Sequence, residues 1–168
     1  MVKMGFLTVI IVASLALFGV SADECPLCPD GWTQFEDSCL QFNTDWVDYQ
    51  TATDTCKMGG AQLYEPQTVD QCHTVCQMAD ENGLGSTWIG VNDIAEEGSW
   101  VFASSGAPFD LGELWAAGEP NNWDHGDGAG EDCAHFFSSS LLNDNNCAST
   151  MNFICAYTIQ KWLVANNC

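Results

Sequence analysis

GEPNNWDHGDGAGEDCAHFFSSSLLNDNNCASTMNFIC, residues 118–155, decides how the rest of the chain is read. It closes a run from 103 to 130 made mostly of Gly, Ser, Ala, Pro and Asn, which predicts long loops. A structureless stretch of that length inside a compact domain is usually functional. Beyond it, Cys133 to Phe137 and Asn152 to Tyr157 predict short strands. Working upstream, Trp88-Ile89-Gly90-Val91 begins a buried strand. Val69, Cys72, Val75, Cys76 and Ala79 recur at helical spacing and predict a helix over Thr68 to Met78. Asp48 to Lys57 predicts an earlier helix, with Ala52 and Cys56 on one face and Gly59-Gly60 as its stop. Cys28 to Cys39 encloses the turn signal Pro29-Asp30-Gly31-Trp32 and predicts a stapled hairpin. Two early helices followed by strands and loops make an α+β domain.

The composition bounds what such a domain does. With 168 residues, 46% of them apolar, the chain has enough for one core and too little for two. Three Lys and Arg stand against 23 Asp and Glu, a net charge of −20, which repels phosphate backbones and anionic lipid surfaces. Nucleic acid is thereby excluded as a partner. Seven Trp, nine Phe and ten Cys exclude a disordered acidic tail, and the ten Cys point to disulfides and an oxidising compartment. Lys3, the apolar run Phe6 to Val20 and the small residues Val20-Ser21-Ala22 predict a signal peptide over 1–22, leaving 23–168 as one secreted, extracellular domain. The competing membrane anchor needs about 20 apolar residues, and this run has 15. No second run of spanning length follows, so membrane insertion is not expected. No Asn-x-Ser/Thr sequon occurs.

The order Cys-Pro-x-Gly-Trp (28–32), Cys39, Cys56, Trp-Ile-Gly (88–90), Glu-Pro-Asn (119–121), Glu-Asp-Cys (131–133), Asn-Asp (143–144), Cys147 and Phe-Ile-Cys (153–155) resembles the C-type lectin domain. The likeness covers 28–157. It implies a C-type lectin fold: two helices, small antiparallel sheets and a long calcium-binding loop region. It also implies the disulfides Cys28–Cys39, Cys56–Cys155 and Cys133–Cys147. Cys25, Cys72, Cys76 and Cys168 remain, and four cysteines allow three connectivities. Cys25 and Cys168 both lie near termini, which often meet, so Cys25–Cys168 with Cys72–Cys76 is the expected pairing. Cys72 and Cys76 sit one helical turn apart, an awkward geometry for a bridge, and an intermolecular disulfide competes.

Glu119, Asn121, Glu131, Asn143 and Asp144 offer carboxylates and amide carbonyls, with no thiolate or imidazole. A hard cation taking six to eight oxygens, Ca2+, suits that set. The resemblance gives the five residues two roles. All bind the ion, and Glu119, Asn121, Glu131 and Asn143 also hydrogen-bond two neighbouring sugar hydroxyls. In the family the peptide bond before the equivalent of Pro120 is cis, turning both flanking side chains to the metal. Glu-Pro-Asn is similar to members preferring mannose-type sugars; galactose-type members carry Gln-Pro-Asp. An auxiliary calcium site is implied at Asp93, Glu97, Asn122, Glu131 and Asp132, where it would order the loops.

Two departures from the family pattern stand out. Leu142 replaces the usual Trp before Asn143, and the stretch 122–130 is longer than in compact mannose-type members. Trp123 within it either stacks on an extended glycan or anchors the loop. Asp124, His125 and Asp127 have only generic zinc spacing. Trp32, Trp88, Trp100 and Trp115 are expected in the core. His73 and His135 have no nucleophile partner signature, and no catalytic elbow, zinc His pair or phosphate loop occurs, so no enzyme activity is expected. The expected function is a calcium-dependent lectin for mannose-type glycans, in recognition of microbes. The alternative is an acidic mineral-associated protein, or an ice or protein binder, on the same fold. The chain carries no coiled coil or collagen-like stalk, so the source of valency and the oligomer are not written in it.

Overall fold

A computed structural model describes residues 26–124, 126, 128–137 and 141–167. The predicted signal peptide, Cys25, His125, Asp127 and Cys168 lie outside the described residues, and with them the expected Cys25–Cys168 bridge.

The amino-terminal hairpin pairs β1 (Thr33–Phe35) with β2 (Ser38–Val47). Helix α1 (Tyr49–Met58) follows, started by Asp48, whose carboxylate accepts from Thr51 N at 2.8 Å. That satisfies one of the orphan N–H groups of the first turn. Gly59 and Gly60 end it, as expected. After β3 (Gln62–Leu63) comes α2 (Val69–Glu81), capped by Thr68. Its buried face is Cys72, Val75, Cys76 and Ala79, the face that the spacing predicted. Then come β4 (Thr87–Asn92), β5 (Val101–Phe102), a single 3-10 turn at Gly112–Leu114, β6 (Cys133–Phe136), β7 (Leu142–Asn145) and β8 (Met151–Thr158). A third helix, α3 (Ile159–Ala165), was not expected; Thr158 caps it directly off β8.

The strands run in the order β1-β2-β8-β4-β6-β7, with β3 on β8 and β5 on β4. β4 and β8 are parallel, while the other pairs are antiparallel. This is the α+β architecture that the element order implied. One core packs α2 against the sheet through Val75, Leu40, Ile89, Leu114, Leu142 and Ile154. The other packs α1 against it through Tyr49, Ala52, Trp88 and Phe153. Trp88 is fully buried; Trp32, Trp100 and Trp115 pack against the cores from their margins. Leu142 is fully buried too, so an apolar residue smaller than Trp fills that position.

Disulfides join Cys28–Cys39, Cys56–Cys155 and Cys133–Cys147, with Cα separations of 5.5, 5.3 and 5.2 Å. The second fastens α1 to β8, and the third closes the end of the β6–β7 hairpin. The expected Cys72–Cys76 bridge is corrected: the two buried cysteines are not joined. Side chains four apart on a helix stack about 5–6 Å apart at Cβ, beyond the reach of a disulfide. Burial pushes the Cys72 thiol up to about 12, with Cys76 adding to the shift. Among the described residues no helix is long and apolar enough to cross a membrane.

Candidate functional site

The site grows from the β6–β7 hairpin. Register pairs Cys133 with Asn145, Ala134 with Asp144 and His135 with Asn143. That puts the Glu131-Asp132 approach to β6 beside the Asn143-Asp144 segment of β7. The third contributor is pinned by main-chain bonds: Ala116 N donates to Leu142 O at 2.9 Å, and Glu119 N donates to Ala116 O at 2.9 Å. The Glu119–Pro120 peptide is cis. Three stretches within residues 116–144 therefore meet beside the β6–β7 hairpin.

Glu119, Glu131 and Asp144 come together there. Asp144 is fully buried and Glu131 is 4% exposed. Asp144 Oδ2 accepts from Asn122 N at 2.7 Å, and Glu131 Oε2 accepts from Trp123 N at 3.0 Å. Glu119 Oε2 and Asp144 Oδ1 are buried with no hydrogen-bond donor. Burial first, then the close Asp144 carboxylate and the charge of Glu131, push the Glu119 carboxyl above its ordinary value. Asn143 lies beside Asp144, its Nδ2 donating to Asp144 O at 2.7 Å and standing 3.5 Å from His135 Nε2. Asn121 is exposed at the rim, and its backbone N–H bonds the Glu119 carboxylate.

The auxiliary set forms a second, adjoining group. Asp93 is 2% exposed; its Oδ2 accepts from Gly98 N at 2.7 Å, and its Oδ1 is buried without a donor. Its N–H donates to Asp132 O at 3.1 Å. Burial above all, with the charges of Glu97 and Asp132, holds the Asp93 carboxyl at about 6. Glu97, Asn122, Asp124 and Asp132 line a cavity of about 270 Å³.

Asn122 joins the two groups, a role that the sequence did not disclose. Its N–H serves Asp144, its Oδ1 accepts from Glu131 N at 2.7 Å, and its Nδ2 donates to Glu97 Oε2 at 2.5 Å. It does so at φ +46°, a conformation that Asn tolerates better than most residues. Gly130 is required opposite it, because any Cβ there would run into the Asn122 side chain.

The chemistry of this donor set fits a hard cation. Among the described residues, no group of three or more His, Cys, Asp or Glu is placed to hold a metal ion. The amides of Asn122 and Asn143 beside the carboxylates make the set an oxygen-rich one, the kind a calcium shell uses. The orphaned oxygens of Glu119, Asp144 and Asp93 are what such an ion would satisfy, since buried carboxylates are otherwise costly.

Three comparisons agree on kinship. The family model "UL45 protein, carbohydrate-binding C-type lectin-like" matches residues 1–160. Asialoglycoprotein receptor 1 of Mus musculus is 30% identical over 149 residues, 88% of this chain and 50% of that one. C-type lectin domain family 10 member A of Homo sapiens is 31% identical over 139 residues, 80% of this chain and 42% of that one. The chain thus spans about half the length of these curated relatives. The mouse scavenger receptor C-type lectin carbohydrate-recognition domain superposes with a TM-score of 0.72 at 31% identity, covering 78% of this chain and 98% of that one. The family is carbohydrate-binding and not enzymatic, and it generally binds Ca2+. The chain belongs to the carbohydrate-binding C-type lectin-like family.

Proposed function

We propose that this domain is a secreted, calcium-dependent lectin for mannose-type glycans, serving in the recognition of microbial surfaces. Its sugar site is Glu119, Asn121, Glu131, Asn143 and Asp144. The observation that carries the proposal is the pair of buried, donorless oxygens, Glu119 Oε2 and Asp144 Oδ1, beside Glu131. Calcium, when bound, supplies a centre on which two neighbouring sugar hydroxyls complete an oxygen shell. The carboxylates of Glu119 and Glu131 accept hydrogen bonds from those hydroxyls, and the amides of Asn121 and Asn143 donate to them. Mannose presents its 3- and 4-hydroxyls both equatorial, matching the acceptor-then-donor order of Glu119 and Asn121. Asp93, Glu97, Asn122, Glu131 and Asp132 hold an auxiliary ion that orders the loops. Trp123, 63% exposed with its backbone tied to Glu131, adds an aromatic face to the same rim.

The relatives named as asialoglycoprotein receptors make a galactoside the necessary control. Calorimetric titration with calcium, then with methyl mannoside or methyl galactoside, tests the assignment. The expected result is calcium-dependent binding of the mannoside near the millimolar range, abolished by chelator. The double substitution Glu119→Gln with Asn121→Asp should move preference towards the galactoside. Mannoside binding unchanged by chelator or by the double substitution would remove the assigned site. Adsorption to calcium carbonate or ice without any sugar binding would support the mineral or ice alternative instead.

A further inference from the structure

A column of aromatic rings runs edge to face from the core to the surface beside the sugar site. Tyr49 meets Trp88 at 5.6 Å and 89°, Trp88 meets His135 at 5.9 Å and 83°, and His135 meets Phe137 at 6.2 Å and 89°. The first three rings are buried, at 4%, 0% and 2% exposed, whereas Phe137 is 57% exposed. The column passes beside Asn143. His135 is the register partner of Asn143, and its Nε2 stands 3.5 Å from Asn143 Nδ2. Phe137 N donates to Leu141 O at 2.9 Å, which fixes the backbone that carries the ring.

Resting on the lectin reading above, we infer that Phe137 is a specificity residue: its ring receives the second unit of a neutral oligosaccharide whose first unit is held by Glu119, Asn121, Glu131 and Asn143. A lone exposed Phe ordinarily needs no explanation. This one differs because it ends a run of packed rings, with the buried His135 ring set edge to face against it at 6.2 Å. Part of the ring is thereby already packed, which lowers the ordering cost of a contact with the rest. Pyranose rings carry C–H faces that pack against an aromatic face while their hydroxyls stay in water. The ligand is a neutral glycan because the chain, at −20, opposes an anionic one.

The probes are methyl mannoside and the disaccharide mannobiose, titrated at saturating calcium into the wild type, Phe137→Ala and Phe137→Trp. The wild type should bind mannobiose about fivefold more tightly than methyl mannoside, the scale of one aromatic contact. Phe137→Ala should lose that gain while keeping its methyl mannoside affinity within about twofold, and Phe137→Trp should restore the gain. The inference is overturned if the wild type shows no gain, if the gain survives in Phe137→Ala, or if Phe137→Ala weakens both ligands alike. Failure of the wild type to bind either ligand would overturn the lectin reading and this one together. Failure confined to the ratio would overturn this one alone.

Discussion

Glu119 Oε2, Asp144 Oδ1 and Asp93 Oδ1 are buried acceptors without donors. Such an oxygen has two remedies, a proton or a cation, and the two compete. Asp93 shows the sign of that competition. Its folded value of about 6 lies above the ordinary 3.8. Between those values the folded chain holds a proton that the unfolded chain has released. The resulting stabilisation of the calcium-free protein is complete below about 3.8 and lost as pH rises through about 6. Scanning calorimetry in chelator should show that Asp93→Asn raises the melting temperature at pH 7 by about 3 °C and leaves it nearly unchanged at pH 4. An equal gain at both pH values would mean that charge at Asp93 is not the cause. Which five of the many Asp, Glu and Asn residues make up the expected donor set was legible only through the likeness to the C-type lectin domain, since residue type alone marks many more. The part played by Asn122 was not. It depends on a left-handed backbone conformation and on Gly130 leaving room, and neither is visible in residue identity.

The elements that carry these residues were read unevenly, for physical reasons. α1 and α2 were legible from apolar residues gathered on one helical face and, for α1, from the Gly59-Gly60 stop; the side-chain caps at Asp48 and Thr68 emerged with the structure. α3 did not: it starts on Thr158, the last residue of β8, with no turn residue between, and none of its residues is buried. The Cys28–Cys39 hairpin proved to be a three-residue strand returning into a ten-residue one, whose full length is set by pairing with β8. That distant pairing also explains where the longest covalent link lies. Cys56–Cys155 closes a separation of 99 residues between α1 and β8. In the chain-entropy account a loop of that length contributes about 5 kcal/mol by restricting the unfolded chain. Replacing both cysteines by Ala should lower unfolding stability by about that amount in guanidinium titrations. Glycan affinity of the folded fraction should change little, since the bridge joins α1 to β8, which is separated from β7 by β4 and β6. A loss of sugar affinity matching the loss of stability would show that the site depends on this link more directly.

At the scale of the whole molecule the dominant property is the excess of 20 negative charges. It bears on two competing functions in opposite ways. Uptake of calcium is aided by a field that concentrates cations, and screening by salt reduces that aid. Binding of a neutral sugar at a calcium-loaded site gains nothing from the field, because the ligand carries no charge. Adsorption to a calcium mineral would rest on the field almost entirely. Raising sodium chloride from about 50 to about 500 mM shortens the screening length several-fold and separates these cases. With calcium kept saturating, methyl mannoside affinity should stay within about twofold across that range, while the calcium affinity itself falls. Calorimetry supplies both numbers from the same sample. A sugar signal that disappears with added salt while calcium remains saturating would mean that the glycan is held by diffuse charge rather than by Glu119, Asn121, Glu131 and Asn143. Retention on calcium carbonate beads that vanishes over the same range, with no sugar signal at any salt, would assign the acidic surface to mineral binding.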